Sequence, residues 1–364
     1  MSLNFLSKTK CLGLDIGSKN IKVVYLTTSR GKYKLVDFKI LPISEKIKEK
    51  LDFEAKQEIA LQIIKNLLKE DPSLPKKVAI SVSGPSVVIR YIKLPTMSKE
   101  ELEKSIVVEA ESFIPFPITD VYLSFDIIGE VIDESVKKKE IVVVAARKES
   151  IDYRIKLLKE CKLTPLYIDV DIFVLEKVIN YNYDVKDDVV CVVNIGGEMT
   201  NIGIIEKGVT RVSRDLPIGL DNIINEVKRA QQIEEETVFE YLKNEGLIVE
   251  EDKKEIYIQE QKKFELLFSK NLMVALKELI SEIHKIIDFY YFQQGEQKPL
   301  SKIFLSGGGS IIRNLDLYFS NEFKVEVEYL DPFKNIENSE GVPFEERVIL
   351  PIATGLAIRG LSYG

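Results

Sequence analysis

Hydrophobic and polar positions follow the same rhythm twice along this chain. Residues 11–26, CLGLDIGSKNIKVVYL, run apolar, break at Asp15-Ile16-Gly17-Ser18-Lys19-Asn20 and turn apolar again. Residues 189–208, VVCVVNIGGEMTNIGIIEKG, have the same grammar. Placing Asp15 on Asn194 also places Gly17 on Gly196, with the copies 179 residues apart, about half the chain. Short apolar runs bounded by glycine and small polar residues predict strand–turn–strand units.

Other periodicities fill the space between the copies. Ile21–Leu26 and Tyr33–Ile40 read as consecutive strands joined at Arg30-Gly31. Over residues 54–69, Ile59, Ile63 and Leu67 recur every four positions, which predicts an amphipathic helix that Asp71-Pro72 ends. KVAISVSG (77–84) is a strand. From 85 to 167 the chain alternates again. SVVIRYIKLP is strand-like, and Ser98 with Glu101 forms a capping-box pair for a helix that Pro115 and Pro117 stop. Strands fit 121–129 and 141–146, with the charged stretch 133–140 as their loop; a helix over 149–161 and a strand at 166–170 follow. The pattern predicts an inserted β-α-β-β-α-β unit. Residues 219–298 are mostly helical, and a helix over 266–291 sets Leu272, Leu276, Leu279, Ile283, Ile286 or Ile287, and Tyr290 on one stripe. Alternation resumes at 302–323 and VEVEYL, and a helix opens at Pro351, a residue suited to the first turn.

Composition narrows the class. A chain of 364 residues exceeds the size at which one core stops growing, so two lobes are expected. The expected division is a first core domain of 1–84 and 168–187, an inserted domain of 85–167, a second core domain of 188–218 and 299–364, and a helical subdomain of 219–298. With 45% hydrophobic residues, 30% charged residues and a net charge of -7, the chain reads as globular and lacks the basic excess of a nucleic-acid binder. Cys11, Cys161 and Cys191 lack metal-ligand spacing and sit in apolar sequence, which suits buried residues in a reducing, cytoplasmic setting. No apolar run has membrane-spanning length, and MSLNFLSKTK lacks a signal-peptide core. The single histidine, His284, borders the apolar stripe and reads as structural.

The glycine turns carry the candidate chemistry. Backbone approaches an anion closely only where no Cβ intervenes, and successive N–H groups in such a turn form an anion nest. Gly17, Ser18, Lys19 and Asn20 meet that need in the first loop, as Gly196, Gly197 and Thr200 do in the second. Asp15 adds a carboxylate suited to the waters of a phosphate-bound Mg2+. Each loop alone is equally an ordinary hairpin. A third loop, LSGGGS (305–310), joins a strand end to a helix start near the C-terminus. It matches neither G-x-G-x-x-G nor a P-loop. Two phosphate-type hairpins in matching halves, then this loop, predict one interlobe cleft.

In these motifs the chain resembles the actin-like ATPase superfamily: GLDIGSKNIK its first phosphate motif, VNIGGEMTNIGI its second and FLSGGGSIIRNL its adenosine motif. The resemblance implies an α/β, two-lobed fold of duplicated ribonuclease-H-like domains with ATP and Mg2+ as cofactors. The unit inserted after AISVSG, with LPTMSKEELEKSIVVEAESFIPFPITDVYLSFDIIG, resembles the type IV pilus PilM family, relatives of FtsA. That resemblance implies a cytoplasmic scaffold at the inner membrane, held there indirectly through the cytoplasmic N-terminal tail of a PilN-like membrane protein. It also implies contacts with other components of the pilus complex, the assembly motor among the candidates. Self-association stays open, and no nucleic acid is implied. An FtsA-like division anchor is the alternative, though no C-terminal amphipathic helix follows in this sequence; a small-molecule kinase is a more remote one. The exit FIPFP reads as helix termination and packing, or as the rim of a peptide groove.

The resemblance further implies nucleoside contacts at Gly307, Gly308, Gly309 and Ile312, with weaker candidates Glu226 and Arg229 on a helix facing the base. Two departures accompany it. Asn194 stands where relatives carry aspartate, and an amide supplies neither charge nor a base. Asn314 stands where glycine is common and tolerates left-handed backbone. Asp169 and Asp171 are the remaining candidates to orient a water, with a strand-end turn and an N-cap as their structural alternatives. Slow or negligible hydrolysis is therefore expected.

Overall fold

The computed structural model describes residues 10–29, 31–43, 53–133, 136–294 and 298–362. The N-terminal decapeptide but for Lys10, the Arg30 side of the first predicted turn, the pair 134–135 and the last two residues lie outside the described residues. In the first half, β1 (Lys10–Ile16), β2 (Asn20–Ser29) and β3 (Lys32–Pro42) form an antiparallel meander, α1 (Phe53–Glu70) follows, and β4 (Lys77–Val82) returns parallel to β1. Then come β5 (Val87–Pro95), α2 (Lys99–Glu111), β6 (Val121–Asp133), β7 (Val136–Arg147), α3 (Lys148–Glu160), β8 (Thr164–Val170) and α4 (Asp171–Asn182). The second half repeats the meander with β9 (Val189–Ile195), β10 (Thr200–Glu206) and β11 (Val209–Leu216). Helices α5 (Leu220–Gln231), α6 (Glu235–Asn244), α7 (Glu251–Gln259) and α8 (Lys263–Gln294) lead to β12 (Lys302–Ser306), α9 (Leu315–Phe323), β13 (Glu326–Tyr329), α10 (Phe344–Arg347) and α11 (Pro351–Ser362).

Two five-stranded sheets result, ordered β3-β2-β1-β4-β8 and β11-β10-β9-β12-β13. Both consist of a hairpin meander followed by two parallel strands, so the repeat seen in two sixteen-to-twenty-residue segments extends to whole sheets. Between the sheets α4 and α11 pack against each other, burying Ile172, Val174, Leu175 and Val178 with Ala353, Leu356, Ala357 and Ile358. The approach of α11 to the first sheet is backbone to backbone. A Cβ on Gly13 would lie 1.9 Å from the Ala353 carbonyl oxygen, and one on Gly360 would lie 2.1 Å from Cys11 Sγ.

The inserted unit is smaller than its alternation suggested. Its sheet has three strands, ordered β5-β7-β6. The expected fourth strand, β8, instead pairs parallel with β4 from Lys77↔Thr164 to Val82↔Val170. Helix α3 goes with it, because Leu157, Leu158 and Cys161 pack into the first lobe's core beside Leu12, Leu14 and Ile80. The expected boundary at 167 thus falls inside a strand of the first sheet. The charged stretch 133–140 is also not a loop: Lys137 to Glu140 pair in the β6–β7 ladder. Lys137 lies beyond the end of β5, where the β6–β7 hairpin is open to solvent, and there it meets Glu130 at 2.7 Å.

Candidate functional site

The two glycine turns have the same internal bond. Gly17 N–H donates to the Asn20 carbonyl at 3.1 Å, and Gly196 N–H donates to that of Met199 at 2.8 Å. They face each other across the lobes. A Cβ on Gly197 would lie 2.6 Å from Ser18 Oγ and 2.8 Å from Lys19 Cγ. Lys19 Nζ stands 3.0 Å from Asp221 in the first turn of α5, and Lys56 of α1 pairs with Glu198 of the second turn. The structure therefore brings Gly17, Ser18, Lys19, Asn20, Gly196 and Gly197 to one place. Thr200 is elsewhere in chemistry: fully buried, its hydroxyl donates to the Ile218 carbonyl at 2.6 Å.

Asn194 heads a chain of side-chain bonds. Ser306 Oγ donates to Asn194 Oδ1 at 3.0 Å, Asn194 Nδ2 to Asn201 Oδ1 at 2.9 Å, and Asn201 Nδ2 to Asp215 Oδ1 at 2.7 Å. The other Asp215 oxygen accepts the Gly84 N–H at 2.6 Å. Both oxygens of Asp215 and both ends of each amide are engaged, as burial demands. Asn201 and Asp215 were not among the sequence candidates. Their signal was present: Asn201 interrupts a buried apolar strand opposite Asn194, at the separation that puts Lys22 opposite Asp15.

The three candidate carboxylates Asp15, Asp169 and Asp171 have different surroundings. Asp15 accepts from Lys22 Nζ at 2.6 Å, so part of its charge is neutralised within its own hairpin. Asp169 is a structural anchor, held by Arg359 Nε at 2.5 Å and by the Val170 N–H at 2.8 Å. Asp171 opens α4 as its first helical residue, with Val170 at the cap. Burial pushes its carboxyl up to about 7, the nearby Asp15 charge adds to this, and hydrogen bonds from Ser81 and Ser83 oppose it. Arg154 of α3 faces Asp15 and Asp171, which counter the downward pull of burial on its guanidinium. Among the described residues no three His, Cys, Asp or Glu side chains are grouped to hold a metal ion.

The third loop lies against the end of β9. Gly307 adopts φ +86° and donates to the Val348 carbonyl at 2.8 Å; a Cβ there would lie 2.4 Å from the Ile195 carbonyl oxygen. At Gly309 it would lie 2.4 Å from Ile195 Cγ2. These two glycines are demanded by packing. Gly308 is different, since a Cβ would meet nothing nearer than Leu220 Cδ2 at 4.0 Å. Ile312 is fully buried in the second lobe's core, which removes it from any surface a nucleoside could touch. Glu226 and Arg229 pair with each other at 3.1 Å on an exposed face of α5. Asn314 has φ 62°, the left-handed backbone expected of it, and donates to the Leu247 carbonyl at 2.7 Å. His284 stacks on Phe323, with ring centroids 4.4 Å apart.

Comparison with known proteins meets this geometry at the level of the family. The family model described as type IV pilus assembly protein PilM matches residues 13–361. The chain belongs to that family. Among solved structures, the PilM-PilN type IV pilus biogenesis complex is similar at TM-score 0.78 and 23% identity, covering 98% of this chain and 99% of that one. MreB5 of Spiroplasma citri bound to ADP is similar at TM-score 0.53 and 12% identity over 98% of this chain and 99% of its own. The ethanolamine utilization protein EutJ from Carboxydothermus hydrogenoformans follows at TM-score 0.52 and 13% identity, covering 98% and 91%. The PilM-family chain therefore has the actin-like two-lobed fold, its duplicated sheets carrying the two facing turns. No helix among the described residues is long and apolar enough to cross a membrane.

Proposed function

We propose that this protein is a nucleotide-binding scaffold of the type IV pilus assembly complex, working on the cytoplasmic side of the inner membrane. Its partner in this reading is the cytoplasmic N-terminal tail of a PilN-like membrane protein. The family match across residues 13–361 carries it. In this reading the tail docks in a cleft between the inserted three-stranded unit and the neighbouring lobe, as the resemblance implies.

The residue types at the cleft fit a nucleotide. Gly17, Gly196 and Gly197 present bare backbone where the lobes meet, and Lys19 offers a cation there. Gly308, whose Cβ direction is open, is the one glycine of the third loop free to approach a ligand. ATP is the expected nucleotide, and Mg2+ would be held through waters by Asp15 with Asp171 nearby. The metal would neutralise phosphate charge. Hydrolysis is expected to be slow, because Asn194 is committed at both ends to Ser306 and Asn201 and Asp169 is committed to Arg359. Asp171 is the remaining carboxylate with proton-accepting capacity near neutral pH.

Calorimetric titration with a synthetic peptide of the partner's cytoplasmic tail, with and without Mg-ATP, tests the reading. One-to-one saturable binding supports it. Binding of neither peptide nor nucleotide would remove it and favour the division-anchor alternative, for which ATP-dependent pelleting with vesicles is the check.

A further inference from the structure

The inserted unit is covalently part of the first lobe, yet it is also tied to the second by an ion pair. From the second sheet's edge strand, Arg211 Nη1 reaches Glu140 Oε2 of β7 at 2.6 Å, and its Nε lies 3.5 Å from Glu206. The Arg211 and Glu140 side chains are 17% and 15% exposed, so the pair is largely out of water. A bulge aims Arg211 there. In the β10–β11 ladder Ile204 pairs with Val212 and Ile205 with Thr210, which leaves Arg211 as the extra residue. The preceding residue, Thr210, gives its N–H and hydroxyl to Glu176 of α4 at 2.7 and 2.6 Å. Tyr91 of β5 lies in the same cluster, its hydroxyl buried without a hydrogen-bond partner.

Beyond the bulge, Ser213 and Asp215 share one face of β11. Four residues beyond Arg211, Asp215 receives the amide chain from Asn194 and binds the Gly84 N–H. Gly84 sits at φ +82° immediately before β5, and a Cβ on it would lie 3.0 Å from Met199 of the second glycine turn. One strand thus touches the interlobe turns at one end and the inserted sheet at the other.

We infer that β11 is a transmission strand, whose Arg211–Glu140 and Asp215–Gly84 contacts make the inserted unit move with the second lobe. Any ligand that changes the lobe arrangement then changes the position of the inserted unit, and a partner on that unit changes affinity in the cleft by the same factor. The inference rests on the proposed function only for the identity of the two ligands; the mechanical link stands on the contacts.

Hydrogen exchange read by mass spectrometry tests it on the full chain, with melting temperature as the control for folding. In Arg211→Gln without ligand, exchange should rise about tenfold or more in peptides covering β7 and also in those covering the turn 194–201, while β2 and β3 stay unchanged. Glu140→Gln, a milder change that keeps an acceptor, should act in the same direction. A rise confined to β7 and β11, or one spread over the whole chain, overturns the inference. In the second arm Mg-ATP is added. Wild-type protein should gain protection in both the turn 194–201 and the inserted sheet; Arg211→Gln should gain it only in the turn. Equal protection of the inserted sheet in both proteins also overturns it. If Mg-ATP protects nothing, the nucleotide reading fails, and the ligand-free arm alone decides the link.

Discussion

The two hairpins are built on one plan and stabilised by different chemistry. Position by position, Asp15 opposite Lys22 in the first matches Asn194 opposite Asn201 in the second. The first uses an ion pair at the cleft edge; the second uses neutral amides inside a buried relay from Ser306 to Asp215. Burial explains the exchange of charge for amide. A carboxylate at 194 would stand two hydrogen bonds from Asp215 and could not donate to Asn201, whereas an amide both donates and accepts and so joins the two sides. The two lobes thus keep matching glycine turns, and the second has its carboxylate at Asp215, which binds the Gly84 N–H at the base of the inserted unit.

The strands differ as well, and the largest expected effect lies there. Gly13 of β1 corresponds to Val192 of β9, and the backbone of α11 crosses the Gly13 position. Gly13→Ala should cost about 3 kcal/mol or more in urea unfolding, because the Ala353 carbonyl cannot move without α11. Val192→Ala, which only removes methyl groups, should cost less. Breaking the amide relay comes next. Asn201→Leu should lower stability by about 2–3 kcal/mol, since it leaves both Asn194 and Asp215 short of a partner. An unchanged urea midpoint would mean that the relay is dispensable and the contrast between hairpins is one of appearance.

The charge side of the comparison is read through pH. Asp171 has a folded value of about 7, above its ordinary 3.8, so the folded state holds an extra proton between those values. Its neutral form stabilises fully below about pH 4, and that contribution is lost as pH rises through 7. Asp171→Asn should flatten this slope and raise stability at pH 8 by about 2 kcal/mol, half of the ~4 kcal/mol that the full shift allows, because the amide gives up an acceptor oxygen toward Ser81 and Ser83. Denaturant melts at pH 5 and pH 8 check the sign. The smallest effect is expected at Glu226→Ala, whose exposed pair with Arg229 should be worth less than about 0.5 kcal/mol. A tenfold loss of Mg-ATP affinity in that variant would establish Glu226 as a nucleoside contact.

Local pattern determined a great deal here. The repeat of apolar runs and small turns revealed the duplicated strands, because a hairpin needs glycine where it turns tightly and apolar residues where it is buried on both faces. Helix 266–291 was legible from its stripe, and the described helix, Lys263–Gln294, buries Leu272, Leu276, Leu279, Ile283 and Tyr290. Asn314 announced its left-handed backbone. What the pattern could not hold is which partner each element chooses. β8 reads equally well as the last strand of the inserted unit or the edge of the first sheet, since alternation records burial and not the neighbour. The fates of Thr200, Asp169 and Ile312 turned on Ile218, Arg359 and the second core, which are distant in sequence or in sheet order. The transmission role of β11 is a product of tertiary structure alone: a bulge aims Arg211, and only the packing of a first-lobe insertion onto a second-lobe strand brings Glu140 to meet it.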